Sequence, residues 1–250
     1  LVDSVGTIFK LYGFEFGTDP GFTDRTKYET TYSLYEQAQA AILDGASDET
    51  LAQYSADLRA AIGDLMATGV HPVETGYYYI VNAYTGFEQY QGVTKSLYVN
   101  NEKQLMWTTT DTNSAAHLWY IEKLDNGNFS IKNVASGEYI GSMPASGGNV
   151  SMTPVQETEQ VLERLKGVAG QFHLYGAGSY KSLSPANYND GMSISGLVTT
   201  QSGSGNSVAE WYLRHLTDQT VIDRLTNQGQ QAFLTEEMSL VLDSARTSRN

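Results

Sequence analysis

Two loop segments combine side chains that can recognise hydroxyl groups with side chains that offer an apolar ring. The segment YVNNEKQLMW (98–107) contributes Asn100, Asn101 and Trp107, and the segment SPANYNDG (184–191) contributes Asn187, Tyr188, Asn189 and Asp190. Amide and carboxylate groups bind hydroxyls, and an aromatic ring provides a platform for the apolar face of a sugar ring. These seven side chains are therefore the candidate ligand-binding residues.

The same residue types also have a purely structural interpretation. Asn-Asn and Asn-Asp-Gly sequences are common in turns, because their side chains bond the local backbone and tolerate left-handed conformations. Trp107 precedes a run of threonines and fits a strand equally well. The pair Asn189 and Asp190 is too small a ligand set for calcium, which takes about six to eight oxygens. No metal is expected.

The sequence contains no recognisable catalytic motif. None of its four histidines has the spacing of a metal site, and each is expected to be structural: His71, His117, His173 and His215. Glu36, Asp44, Asp57 and Asp64 fall on predicted helices, where they are expected to form a solvated face. A nucleophile elbow, a phosphate-binding loop and a dinucleotide fingerprint are all absent from the sequence. We therefore expect a protein that is not an enzyme and needs no cofactor.

Composition narrows the classes of partner. The 250 residues have a net charge of −13, and this argues against nucleic acid, whose binding depends on Lys and Arg. No apolar run approaches the roughly 20 residues of a membrane span. The chain begins without a methionine or a leader-like segment, which suggests a mature product. Seventeen tyrosines suit a glycan partner, or another protein or domain that contacts a Tyr-rich surface.

Residues 76–216 contain three copies of one sequence pattern. Units that cannot bury their own apolar face pack against their copies, so the pattern predicts a three-fold array around a shared core, with Trp119 and Trp211 inside it. A propeller needs at least about four blades, and a sandwich would not repeat these strings. The opening strings are GYYYIVNAYTG (76–86), GNFSIKNVASG (127–137) and GQFHLYGAGSY (170–180), and the closing strings are WYIEKL (119–124), QVLERL (160–165) and WYLRHL (211–216).

These strings resemble the β-trefoil of the ricin-B-like lectins, most clearly in FSIKNVASGEYIG (129–141). The Gln-x-Trp triplet typical of that family is degenerate: Trp119 and Trp211 remain without the Gln, and Gln160 stands where the second Trp is expected. The resemblance implies a shallow sugar pocket on each lobe, in the loops after the opening strands. These loops follow Leu97, Ile140 and Leu183, and only the first and third contain aromatic residues.

Helical periodicity marks both flanks of the repeat. Apolar residues recur on one face over 28–42 and again over 51–65, and Ser47 before two acidic residues is a helix start, so we expect an antiparallel hairpin. LRAAIGDL (58–65) resembles the FIVAR-type modules of bacterial surface proteins. Residues 1–23 are interpreted as an irregular or strand-like lead-in. In the tail, Thr217 or Asp218 begins one helix, Gly229 interrupts it, and Thr235 begins another.

The predicted fold is mainly β with helical flanks. It comprises a lead-in and hairpin (1–72), a β-trefoil (73–217) and a C-terminal helical segment (218–250) that packs on the hairpin. The expected function is that of a non-enzymatic carbohydrate-binding module of a larger secreted or cell-surface bacterial protein. The alternative is a structural spacer or protein-interaction module whose trefoil has lost sugar binding.

Overall fold

The computed structural model describes residues 2–11, 14–84, 93–143, 148–166, 168–185, 196–202 and 207–247. The chain divides into two compact units, one of Leu1–Val73 with Leu165–Gly170 and one of Glu74–Arg164 with Gln171–Asn250. Within the described ranges, no helix has the length and apolar character needed to cross a membrane.

The first unit is helical, and its predicted hairpin is confirmed. The side chain of Asp24 accepts a hydrogen bond from the Lys27 amide at the start of the second helix. Ser47 accepts one from the Thr50 amide at the start of the third, as expected for a helix cap. The three helices are α1 (Val2–Leu11), α2 (Arg25–Leu43) and α3 (Asp48–Thr68).

Helix α1 corrects the interpretation of the segment 1–23 as an irregular or strand-like lead-in for residues 2–11, whereas residues 14–23 are irregular with an isolated bridge between Phe16 and Thr23, as predicted. Val5 is buried against Ala38 of α2 and Leu58 of α3. A Cβ atom at Gly6 would lie 2.5 Å from the Tyr35 hydroxyl, so the glycine lets the Tyr35 side chain lie against α1. The glycine and aromatic content of the segment concealed a helical stripe that burial against α2 and α3 stabilises.

The described residues of the second unit form twelve strands in three lobes of four. The first and fourth strands of every lobe close an antiparallel ring, and the second and third pair as three hairpins. This arrangement is a β-trefoil and confirms the predicted fold. The strands are β1 (Gly76–Asn82), β2 (Lys95–Val99), β3 (Leu105–Thr109), β4 (Trp119–Lys123), β5 (Phe129–Asn133), β6 (Tyr139–Ile140), β7 (Met152–Thr153), β8 (Gln160–Arg164), β9 (Gln171–Gly176), β10 (Lys181–Pro185), β11 (Gly196–Ser202) and β12 (Glu210–Leu216).

In each lobe, a buried side chain of the closing strand donates a hydrogen bond to a backbone carbonyl of the same lobe. The Trp119 indole N–H donates to the Leu97 carbonyl at 3.1 Å, and that of Trp211 donates to the Leu183 carbonyl at 2.9 Å. Both tryptophans are fully buried, as predicted. In the second lobe, the Gln160 amide donates to the equivalent Ile140 carbonyl at 3.0 Å. The glutamine therefore keeps the hydrogen bond that the tryptophan makes elsewhere.

The C-terminal segment forms one helix, α4 (Gln219–Thr247), and not the two helices predicted. Asp218 caps it by accepting from the Thr220 amide at 2.9 Å. Leu225 is buried in a cluster with Tyr79 of β1. A Cβ atom at Gly229 would collide with the Val134 carbonyl, so this glycine permits close packing and does not interrupt the helix.

Helix α4 belongs to the trefoil unit, where its first half packs on the outer face of β1. The predicted packing of residues 218–250 on the N-terminal hairpin concerns two separate units and stays a prediction. The predicted boundaries at 72 and 217 lie beside a unit boundary at Val73–Glu74 and the end of β12 at Leu216.

Candidate ligand-binding site

The structure places Trp107 in the core and not at the surface. Its side chain is 1% exposed, it lies opposite Leu97 in the β2–β3 hairpin, and the Lys95 ammonium is 5.1 Å from its ring centre. A buried ring presents no face to a ligand, so the expectation of an exposed platform is corrected in favour of the strand interpretation. Asn187, Tyr188, Asn189 and Asp190 lie outside the described residues.

Asn100 and Asn101 belong to the β2–β3 turn. The Asn100 side chain accepts from the Gln104 amide at 2.8 Å and donates to the Gln104 side chain at 2.9 Å. Those bonds are the turn-forming role that the sequence also allowed. Asn101 is exposed beside it. The structure therefore does not bring Asn100, Asn101 and Trp107 together on one surface.

A different concave surface lies between α4 and the trefoil, where the second lobe adjoins the first. Its volume is ≈ 820 Å³, within the range typical of small-ligand pockets. We call it the lobe-two groove. Residues of the trefoil strands and turns form one side and residues of α4 the other: Tyr77, Lys103, Tyr120, Lys132, residues 133–138 and Pro154, then Thr226, Gly229, Gln230 and Leu234.

A row of half-buried side chains crosses four strands in register at this groove. Tyr77 of β1 lies opposite Tyr120 of β4, which lies opposite Lys132 of β5, which lies opposite Tyr139 of β6. The Tyr77 and Tyr120 rings are 5.1 Å apart between centres at 54°. Side chains in such a row share one face of the sheet, so two tyrosine rings and an ammonium face the same side.

The turn after β5 is held in one conformation by Asn133. Its carbonyl oxygen accepts from the Ala135 and Ser136 amides at 3.1 Å each, and its amide nitrogen donates to the Ala116 carbonyl at 2.8 Å. Gly137 completes the turn with φ of 69°. The groove wall opposite α4 is therefore preorganised by a buried side chain.

The groove also contains charged and polar groups. Lys103 lies 3.6 Å from the Glu138 carboxylate, and the Lys132 ammonium lies 5.3 Å from the Tyr139 ring centre. Partial burial, with smaller contributions from Glu122 and Tyr77, raises the pKa of Tyr120, so its hydroxyl remains protonated at neutral pH. An aromatic surface edged by such donors and acceptors suits a hydroxyl-rich ligand.

Sequence reasoning missed this groove, although one signal was present. Three consecutive tyrosines at 77–79 must point to both faces of their strand, so part of the run faces outward. The structure turns Tyr78 inward, covers Tyr79 with α4 and leaves Tyr77 half-buried beside Tyr120. Tyr77 lies beside Tyr120 only because β1 pairs with β4 in this register, and the sequence alone does not give that register.

The histidines of the described trefoil make structural contacts. His117 is buried, bonded to Ser96 at 2.9 Å and stacked on Tyr98, while His215 stacks on Tyr78. Within the described ranges, no three His, Asp or Glu side chains are close enough to hold a metal ion. The geometry thus offers a surface for binding, with no metal cluster among the residues it describes.

Comparisons with known proteins find similarity at the level of structure only. No family model matches the sequence, and no curated protein matches it. A ricin B-like lectin from Macrolepiota procera, solved with lactose, is 14% identical over 59% of this chain and 100% of its own, with a TM-score of 0.48. A designed three-fold symmetric protein is 23% identical over 56% of this chain and 99% of its own, with a TM-score of 0.46.

A similar structure also occurs inside a larger enzyme. The endo-β-galactosidase from Clostridium perfringens that releases GlcNAcα1-4Gal is 20% identical over 56% of this chain but only 32% of its own, with a TM-score of 0.43. At these identities and TM-scores, the three likenesses carry no argument about the ligand or activity of this chain.

Proposed function

We propose that this chain is a non-enzymatic carbohydrate-binding module and that the lobe-two groove holds the glycan. The observation that carries the proposal is the Tyr77–Tyr120 pair. Two adjacent half-buried rings can pack on the apolar face of a sugar, and the amide, hydroxyl and charged groups beside them can bind its hydroxyls. The rings bind the apolar face, and the turn at 133–138 together with Gln230 binds hydroxyls.

The setting we propose is a larger secreted or cell-surface bacterial protein. The support is the resemblance of LRAAIGDL (58–65) in α3 to FIVAR-type modules. Antibody labelling of intact and permeabilised source cells tests this setting. Labelling of intact cells or recovery from the medium is expected, and labelling only after permeabilisation contradicts it.

A glycan array on the purified chain tests the function, with Tyr120→Ala as the site variant. The expected result is binding to a coherent set of glycans and a loss of about tenfold or more in affinity on removing the ring. Tyr180→Ala is the matched control, because Tyr180 is an exposed tyrosine of the third lobe, outside the groove. Equal losses in both variants, or loss of folding in Tyr120→Ala, would remove support for the site.

A second candidate function is that of a spacer or protein-interaction module. It is favoured by α4, whose described side chains include the exposed apolar residues Leu234 at 57%, Met238 at 66% and Leu240 at 62%. Contiguous exposed apolar surface often marks a protein contact. A blank glycan array for a well-folded chain selects this alternative over carbohydrate binding.

A further inference from the structure

We infer that the lobe-two groove selects an acidic oligosaccharide, whose carboxylate or sulfate group lies against Lys132. This inference rests on the proposed function, since it specifies the ligand of the same site. Its basis is the position of a single ammonium within the row of aromatic side chains.

The row favours an extended ligand over a single sugar ring. Neighbouring strands lie about 4.8 Å apart, so the two steps from Tyr77 to Lys132 in the groove lining span about 10 Å. The groove volume of ≈ 820 Å³ lies towards the upper end of the range for small-ligand pockets, about 300–1,000 Å³. A ligand that crosses the strands along this row passes Tyr77 and Tyr120 and then meets Lys132.

The carboxylates near Lys132 are engaged elsewhere. Glu138 forms a salt bridge with Lys103 at 3.6 Å, and Glu122 accepts a hydrogen bond from Ser130 at 3.5 Å. Among the described residues, Lys132 forms no salt bridge of its own. Because the Lys103–Glu138 pair is neutral overall, Lys132 supplies the uncompensated charge of the groove lining, in a chain whose net charge is −13.

The surroundings of Lys132 strengthen its interaction with an anion. The side chain is half-buried between Tyr120 and Tyr139 in the strand register, and its ammonium is held 5.3 Å from the Tyr139 ring centre. Partial burial lowers the local dielectric constant, so an anion bound here gains more than at a fully exposed lysine. A purely structural lysine that covers Tyr139 predicts no discrimination between charged and neutral glycans.

Matched pairs of glycans test the inference directly. An array and titration calorimetry would compare tri-galacturonate with its methyl ester for the carboxylate, and 6′-sulfolactose with lactose for the sulfate. We expect at least one acidic probe to bind about tenfold or more tightly than its neutral counterpart, with an affinity that falls as NaCl is raised.

Variants at Lys132 assign that preference to the groove. Lys132→Gln is expected to abolish the advantage of the acidic probe over its neutral counterpart, while Lys132→Arg retains the advantage. Lys123→Gln is the matched control, because Lys123 is an exposed lysine of β4 that pairs with Glu74. Melting curves of all three variants establish that they are folded.

The outcomes separate this inference from the function on which it rests. Equal binding of acidic and neutral probes that still depends on Tyr120 overturns the inference and leaves carbohydrate binding standing. An acidic preference that survives Lys132→Gln overturns it as well. A blank array that includes every acidic member overturns both.

Discussion

At the scale of single residues, Gln160 shows how the trefoil retains a three-fold hydrogen-bond pattern without a three-fold sequence. Its amide binds the Ile140 carbonyl as the indoles of Trp119 and Trp211 bind theirs. The glutamine satisfies a buried carbonyl, but it fills less apolar volume than a tryptophan. The second lobe therefore depends less on side-chain packing at this position than the other two lobes.

This difference predicts that truncating Trp211 lowers the free energy of unfolding more than truncating Gln160 does. Trp211→Ala should lower the free energy of unfolding by about 3–5 kcal/mol, because it removes a fully buried ring. Gln160→Ala should cost about 1–3 kcal/mol, the penalty for an unsatisfied carbonyl. Urea unfolding of both variants measures the difference, and an equal or reversed order would show that the second lobe is packed like the first and third.

His117 predicts a dependence of stability on pH. Burial lowers its pKa, so the unfolded chain takes up the proton at a higher pH than the folded one. The unfolded state binds more protons below about pH 6.5, and stability should fall as the pH drops through that value. The free energy of unfolding measured between pH 5 and 7.5 should show this slope.

One histidine variant tests which side chain causes the slope, since His117→Gln should flatten it. A wild-type chain with constant stability over this range, or a slope that persists in His117→Gln, would contradict the assignment.

Residue types alone predicted part of the core but misplaced one ring. Trp119 and Trp211 occupy repeat-equivalent positions, so the repeat indicated their burial. Trp107 has no such equivalent, although its alternation with Leu105 along β3 places both on the same buried face. Its neighbours Asn100 and Asn101 suggested a ligand, and they belong to a turn.

At the scale of elements, the packing of α4 depends on a glycine inside the helix. Gly229→Ala should destabilise the trefoil unit, because the new Cβ collides with the Val134 carbonyl, a backbone atom that cannot rotate away. Gly63→Ala in α3 is the matched control, since its Cβ meets nothing within 4 Å. The control should gain about 0.5–1 kcal/mol from higher helix propensity.

Thermal unfolding and the near-ultraviolet circular dichroism of the tyrosines measure both glycine variants. Opposite shifts in melting temperature are expected. A stabilised Gly229→Ala would show that α4 does not approach Val134 closely, and the groove would then lose its helical wall.

Periodicity predicted helices and strands where the burial pattern is regular. The α2–α3 hairpin and the opening and closing strands follow from their own sequences. Helix α1 and the continuity of α4 do not, because glycines at positions 6 and 229 weaken local propensity while serving tertiary contacts. What a glycine contributes there depends on the surface it approaches.

At the scale of the whole chain, the repeat predicted the trefoil but not its departure from symmetry. Three similar units imply a closed ring around one core, and the strand pairings of the structure form this ring. The lobe-two groove arises because α4 packs on Tyr79 of the first lobe and on Val134 of the second, and because Tyr77, Tyr120 and Lys132 meet through cross-strand register. Neither feature is encoded locally.

The central claim is that a glycan binds in the lobe-two groove, and an NMR titration with a glycan from the array tests it most directly. Amide shifts should concentrate at Tyr77, Tyr120, residues 132–138 and the facing turns of α4, and they should saturate with the same affinity as calorimetry. Shifts centred instead on the loops that follow Leu97 and Leu183, or no saturable shifts at all, would contradict the claim.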